Sequence, residues 1–362
     1  MKKVLVIVET FMLFSAFAQS PAFKGAEGYG AAAKGGNSNN IYHVTNLNDG
    51  GQGSFRDAVS LSGRTVVFDV SGIIQLKSRV NVSSNITING QTSPGEGITL
   101  YGQSVAFNKI HDVVVRYLRL HGSIDMARGS CVLIADSSDK IIFDHLSVTW
   151  GRWDNVHIKG SKNITLQYCL IGESIDPQRF GALLENPVNL SIHHCLWIDN
   201  QSRNPKAKAK IELVNNVVYN WGKSGLVGGH SSADHYQDVI NNYFIAGPSS
   251  TDSFLAMFTK SDHVYQRGNY FDGNKDGKLN GRMVTNEDFL HAGDGADIIN
   301  NATCTSEIPV KADPATKAYE DILKNAGCSK KRDATDIRLI NQLSSLGSKG
   351  EIIHNEKTDI VQ

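Results

Sequence analysis

No sign of charge dominates this chain: 36 Lys and Arg residues balance 36 Asp and Glu residues over 362 positions. Zero net charge gives no long-range pull toward nucleic acid or an anionic membrane, so any anion site has to be local. Beyond residue 18, no apolar stretch reaches the ~18 uncharged residues that a helical membrane span requires. There is no G-x-x-x-x-G-K phosphate loop, no Cys-x-x-Cys pair and no serine nucleophile elbow, which removes the commonest nucleotide, dithiol and acyl-transfer readings. Cysteine is sparse, and five residues cannot all pair. Proline is sparse too, at eight, whereas 34 glycines suit many tight turns.

What the chain does have is a short phrase that it repeats. Residues 113–120 (VVVRYLRL), 141–148 (IIFDHLSV), 164–171 (ITLQYCLI), 190–197 (LSIHHCLW) and 211–218 (IELVNNVV) are β-favouring runs with similar endings. Aligned on one another, they place Leu118, Leu146, Cys169, Cys195, Asn216, Asn242 and Asn269 in one column, 21 to 28 positions apart. Coils stacked along an axis put such residues ~4.8 Å apart, close enough for asparagine amides to bond from coil to coil. A period too short for a propeller blade and lacking helical or leucine-rich signatures predicts an all-β protein, a parallel β-helix. In that column Cys169 and Cys195 read as stacked buried thiols. Cys304 and Cys328 lie further on, with pairing and free thiols both open.

Residues 1–18 read as a signal peptide: Lys2 and Lys3, an apolar stretch over 4–14, then Ala16-Phe17-Ala18. This implies a secreted or periplasmic protein. The solenoid domain is expected over residues 19–290. An open solenoid end exposes strand edges and an apolar interior, and residues 53–60 (GSFRDAVS) form the amphipathic helix expected to cap it. Non-repeating stretches at 122–129, 172–186 and 200–210 should project as loops, where binding and catalysis concentrate. Residues 313–327 and 333–346 show helical spacing and caps, so a partly helical extension over 291–362 is expected to pack on the solenoid.

One loop concentrates cations: Arg203, Lys206, Lys208 and Lys210 follow a strand, with Pro205 in the turn. Basic clusters are commonly solvated faces. Here the repeat places this one on the same coil edge as loops carrying Asp154 and Glu173, Asp176 and Arg179. Three successive coils would then face one groove. Asp144-His145 and His193-His194 read as coil-stabilising pairs rather than catalytic dyads.

The stretch HHCLWIDNQSRNPKAK resembles the catalytic coil of polysaccharide lyase family 1, the pectate lyases. FKGAEGYGA, YHVTNLNDGGQGSFRDAV, NITINGQTSPGEGI, IIFDHLSVTWG and KKRDATDIRLINQL are similar to the same subgroup, so the likeness covers nearly the whole chain after the leader. It implies a right-handed β-helix that binds polygalacturonate or a related acidic pectic polymer, as a monomer, and cleaves it by β-elimination to 4,5-unsaturated oligogalacturonides. It also implies that Arg203 is the base, with Lys206, Lys208 and Arg179 as substrate-binding cations. Lys206 replaces the family's usual second arginine, giving a point charge in place of a bidentate fork.

The same resemblance implies calcium held by carboxylates from neighbouring coils. Here the usual acidic position is Ser130, and only Asp154 remains of two acids, so either Glu173 and Asp176 complete a displaced Ca²⁺ site with Asp154, or metal binding is weak, or cationic side chains take over the metal's role. The alternatives are a calcium-independent pectin lyase, a glycoside hydrolase using paired carboxylic acids, and a non-catalytic polysaccharide-binding solenoid.

Overall fold

The computed structural model describes residues 20–357; the leader expected over 1–18 lies outside the described residues. Within it, each coil adds one strand in turn to an eleven-stranded sheet (sheet 1), a ten-stranded sheet (sheet 2) and an eight-stranded sheet (sheet 3). One coil shows the pattern: His111–Arg116 in sheet 1, Arg119–His121 in sheet 2 and Val132–Ala135 in sheet 3. The chain then returns as Asp139–Asp144, parallel to His111–Arg116. The architecture is the right-handed parallel β-helix.

The turn from sheet 1 to sheet 2 takes two residues and explains the column. Its first residue is left-handed in coil after coil, with φ between 52° and 57° at Tyr117, His145, Tyr168, His194, Asn215 and Asn241. Such backbone normally favours Gly or Asn; here the rings of Tyr117, His145, Tyr168 and His194 stack at 4.5 to 5.0 Å between centroids. The second residue points into the solenoid. Asn216 donates its backbone N–H to the Asn242 side-chain oxygen at 2.8 Å, and Asn242 donates to Asn269 at 2.9 Å. Buried turn amides that would otherwise lack partners are satisfied this way. Cys169 and Cys195 continue the column as free buried thiols. Cys304 and Cys328 do not pair: Cys304 donates its N–H to Asp238 of sheet 1, whereas Cys328 lies beside Arg119 of sheet 2.

Helix α1 (Phe55–Ala58) caps one end, with Ser54 accepting the Asp57 N–H and Phe55 stacked on Phe68. Helix α2 (Asn286–Leu290) buries Phe289 against Phe258 towards the other end. The solenoid runs past the expected limit of 290, because Asp297–Ile298 still pairs with Asp262–Arg267 in sheet 1. Helices α3 (Ala315–Asn325) and α4 (Ala334–Ser344) lie on sheet 2, where Tyr319, Ile322, Leu339 and Leu343 pack on Leu170, Leu196, Val217 and Tyr243. With a helical layer over it, the outer face of sheet 2 is apolar. From the strand Val80–Asn81 to the strand Lys210–Val214, turns from sheet 3 to sheet 1 take only one to four residues, so the long loops of these coils gather between sheets 2 and 3.

Candidate active site

Those long loops deliver side chains to the beginnings of the sheet 3 strands. Asp154, the first residue of Asp154–Lys159, stands opposite Phe180 of Phe180–Glu185, and Phe180 stands opposite Ser202. Over this row lies a groove of about 540 Å³ lined by Arg179, Phe180, Arg203, Lys206, Lys223 and Met257, among others. Four cations line it and no carboxylate does.

The Arg203 loop is held from below by amides. Buried Asn200 donates to the Ile171 carbonyl and to the Asn204 side-chain oxygen, each at 3.0 Å, and accepts from Asn155 Nδ2 at 3.2 Å. Close approach also requires Gly181: a Cβ there would lie 2.5 Å from the Arg203 carbonyl oxygen. That carbonyl accepts the Ala182 N–H at 2.8 Å. Arg203 itself sits in the left-handed region at φ 60°, which aims its side chain back over Phe180, 4.1 Å from guanidinium carbon to ring centroid.

Arg203 Nη1 donates to Asp154 Oδ1 at 3.1 Å, and Asp154 is buried while Arg203 is partly open. Burial raises Asp154 to about 6, against the opposing pull of Arg203. Lys206 is held below the ordinary lysine value by burial first, then by Arg203 and Lys208. A second hollow of about 290 Å³ adjoins Asp154, lined by Ser130, Trp153, His157, Glu185 and Arg79. The Arg203–Asp154 pair therefore stands between a cationic groove and a mixed one.

The structure thus brings Arg179, Arg203 and Lys206 together as the repeat anticipates. Lys208 shares the outer side of the strand Lys206–Lys208 but lies opposite Glu185, off the groove lining. Lys223 and Phe180 escaped the sequence reading, although Lys223 follows the cationic loop by one coil. Asn155, next to Asp154, is a strut of the amide network, donating to the Gly172 carbonyl and to Asn200 Oδ1.

The expected calcium ligands do not converge. Glu173 is fully buried beneath α4, gripped by Arg338 through Nη1–Oε1 at 2.5 Å and Nη2–Oε2 at 2.7 Å, with Trp150 Nε1 donating at 3.2 Å. Asp176 pairs with Arg179 and His354, and Asp154 with Arg203. These three carboxylates are each committed to a cation and do not offer Ca²⁺ the six to eight oxygens it takes. Among the described residues, ligand atoms converge only at His194, Asp313 and Asp321 beneath α3, where Lys317 already bridges the two aspartates.

Comparison with known proteins decides the family. A probable pectate lyase C from Aspergillus terreus is 42% identical over 340 residues, covering 92% of this chain and 80% of the relative. The chain belongs to the pectate lyase family. A second probable pectate lyase C, from Neosartorya fischeri, is 40% identical over 339 residues, covering 93% of this chain and 80% of that one. No protein-family model matches the chain. Among solved structures, the thermostable pectate lyase PL 47 aligns with a TM-score of 0.61 at 13% identity, over 86% of this chain and 99% of that one. A Bacillus sp. N165 pectate lyase in complex with trigalacturonate aligns at 0.55 and 15% identity, over 84% and 98%. At such identities these neighbours establish the fold of this lyase and not its contacts.

Proposed function

We propose that this chain, as a member of polysaccharide lyase family 1, cleaves polygalacturonate in the Arg179–Arg203–Lys206–Lys223 groove, with Arg203 as the base. The observation that carries this is a groove of four cations and no carboxylates in a chain of zero net charge. Bound uronate carboxylates would be neutralised there. The C5 proton beside such a carboxylate becomes more acidic as the charge on the carboxylate is withdrawn, so Lys206 and Arg179 assist both binding and reaction.

In the elimination, Arg203 accepts the C5 proton and the C5–H electron pair becomes the C4=C5 double bond. The C4–O bond breaks, and its oxygen leaves with a proton from solvent. Lys206 lies on the same groove wall as Arg203, and Arg203 is partly open on the groove side. Only one guanidinium nitrogen is bonded to Asp154, so the remaining donors stay available to substrate. No step is routed through calcium, because the carboxylates that would hold it are paired with arginines. An extracytoplasmic site of action, implied by the leader, suits a polymer too large to enter a cell.

Incubation with polygalacturonate and with methylated pectin, with and without chelator, tests this reading through the ultraviolet absorbance of the 4,5-unsaturated product. Saturated products would indicate a hydrolase, and binding without turnover a non-catalytic solenoid.

A further inference from the structure

After α4 the chain does not leave the molecule but crosses to the groove loops and is fastened along the way. The Lys349 carbonyl accepts from the Tyr219 hydroxyl. Ile353 is buried against Trp150 and Ile175. The Glu356 carboxylate accepts the Ile124 N–H at 2.9 Å, the Ser123 hydroxyl at 2.9 Å and the Tyr101 hydroxyl at 3.1 Å.

Between these anchors His354 exposes 64% of its side chain, yet both ring nitrogens and its carbonyl are engaged. Its carbonyl accepts the Asp176 N–H at 3.0 Å, its Nδ1 meets Asp176 Oδ2 at 3.0 Å, and its Nε2 meets Arg179 Nη1 at 3.3 Å. A guanidinium can only donate, so Nε2 accepts and Nδ1 carries the proton that goes to Asp176. Asp176 Oδ1 closes the triangle on Arg179 Nε at 3.2 Å. Arg179, at φ 59° in the groove wall, is held by a segment about 175 residues further along the chain.

We propose that His354 is a positioning residue: it holds Arg179 in the conformation that receives a free uronate carboxylate of the pectic chain, so that the C-terminal segment tunes substrate affinity. A free arginine side chain has many rotamers, and ordering it costs binding energy unless it is ordered beforehand. The inference rests on the groove reading above.

Steady-state kinetics on polygalacturonate test it. His354→Ala should raise KM about 3- to 10-fold and leave kcat and the melting temperature near those of the wild type. His354→Gln supplies one donor and one acceptor in similar places and should restore most of the KM. In Arg179→Ala, adding His354→Ala should cost nothing further, because the positioned group is already gone. Additive losses, or a loss in His354→Ala that tracks a lowered melting temperature, would make His354 merely structural and overturn the proposal. If Arg179→Ala raises KM and His354→Ala does not, the proposal fails while the groove stands. If neither changes KM, Arg179's place in the groove reading fails with it.

Discussion

Two arginine–carboxylate pairs, one on each side of the sheet 2–sheet 3 loops, have the same chemistry and opposite situations. Arg338 and Glu173 form a two-nitrogen, two-oxygen fork beneath α4, with Trp150 adding a third donor to the carboxylate. Arg203 meets Asp154 through a single nitrogen, at 3.1 and 3.5 Å, on the edge of an open groove. The two arginines are equally exposed, at 22%, so exposure does not separate them. What separates them is saturation. A two-point fork that fills both carboxylate oxygens, with a tryptophan donor besides, is a clamp, while a single-point pair with donors facing a groove can meet a substrate. The clamp also sits in a carboxylate-rich place. Asp199 lies one coil from Glu173, and burial, with Glu173 next, pushes its carboxyl well above the carboxylate range.

Exchanging one functional group on each side would break this contrast. Arg203→Lys keeps the charge and loses the guanidinium geometry, so kcat on polygalacturonate should fall 10²–10⁴-fold, about 3–5 kcal/mol of barrier. Its melting temperature should stay within a degree or two of the wild type, as thermal denaturation can check. Arg338→Ala should do the reverse. It leaves a buried carboxylate uncompensated, at a cost of about 3–5 kcal/mol in denaturant unfolding, while kcat at a permissive temperature persists. Restoring stability with the double variant Arg338→Met, Glu173→Leu would sharpen the conclusion that this pair is a clamp.

A third prediction concerns the face under α3. Burial, foremost, holds His194 down to about 4, opposed by Asp313 and Asp321 and reinforced by Lys317, and its Nδ1 lies 3.0 Å from that of buried His193. A histidine with a depressed folded value resists protonation in the fold and accepts it when unfolded. Its stabilisation is therefore complete above pH ~6.5 and is lost as pH falls toward 4, by about 3 kcal/mol. His194→Asn, matching Asn215 and Asn241 at the same first position of the turn, should flatten the fall in melting temperature between pH 6.5 and 4. An unchanged slope would move the effect to His193. The smallest effect belongs to the groove rim. Lys206→Ala should raise KM about 10-fold, or ~1.4 kcal/mol, with kcat changed much less, because it neutralises a carboxylate already present before reaction.

The period, the asparagine column, the capping helix at Phe55–Ala58 and the two C-terminal helices were legible from sequence alone. Each follows from local rules: strand alternation, a turn that must satisfy its own amides, an end that must be covered. The clustering of Arg179, Arg203 and Lys206 was legible too, because the repeat carries loops of successive coils to one edge. Which carboxylate meets which cation was not. Glu173 and Asp176 are three residues apart, yet one turns under α4 and the other toward His354. Their partners arrive from 165 and 178 residues along the chain, through long loops and a folded-back segment with no period of their own. Local sequence determined the scaffold and the edge on which chemistry could occur. Only the packing of the C-terminal segment on sheet 2 decided which charges are clamped and which remain free to act, because desolvation and pairing are set by neighbours distant in sequence.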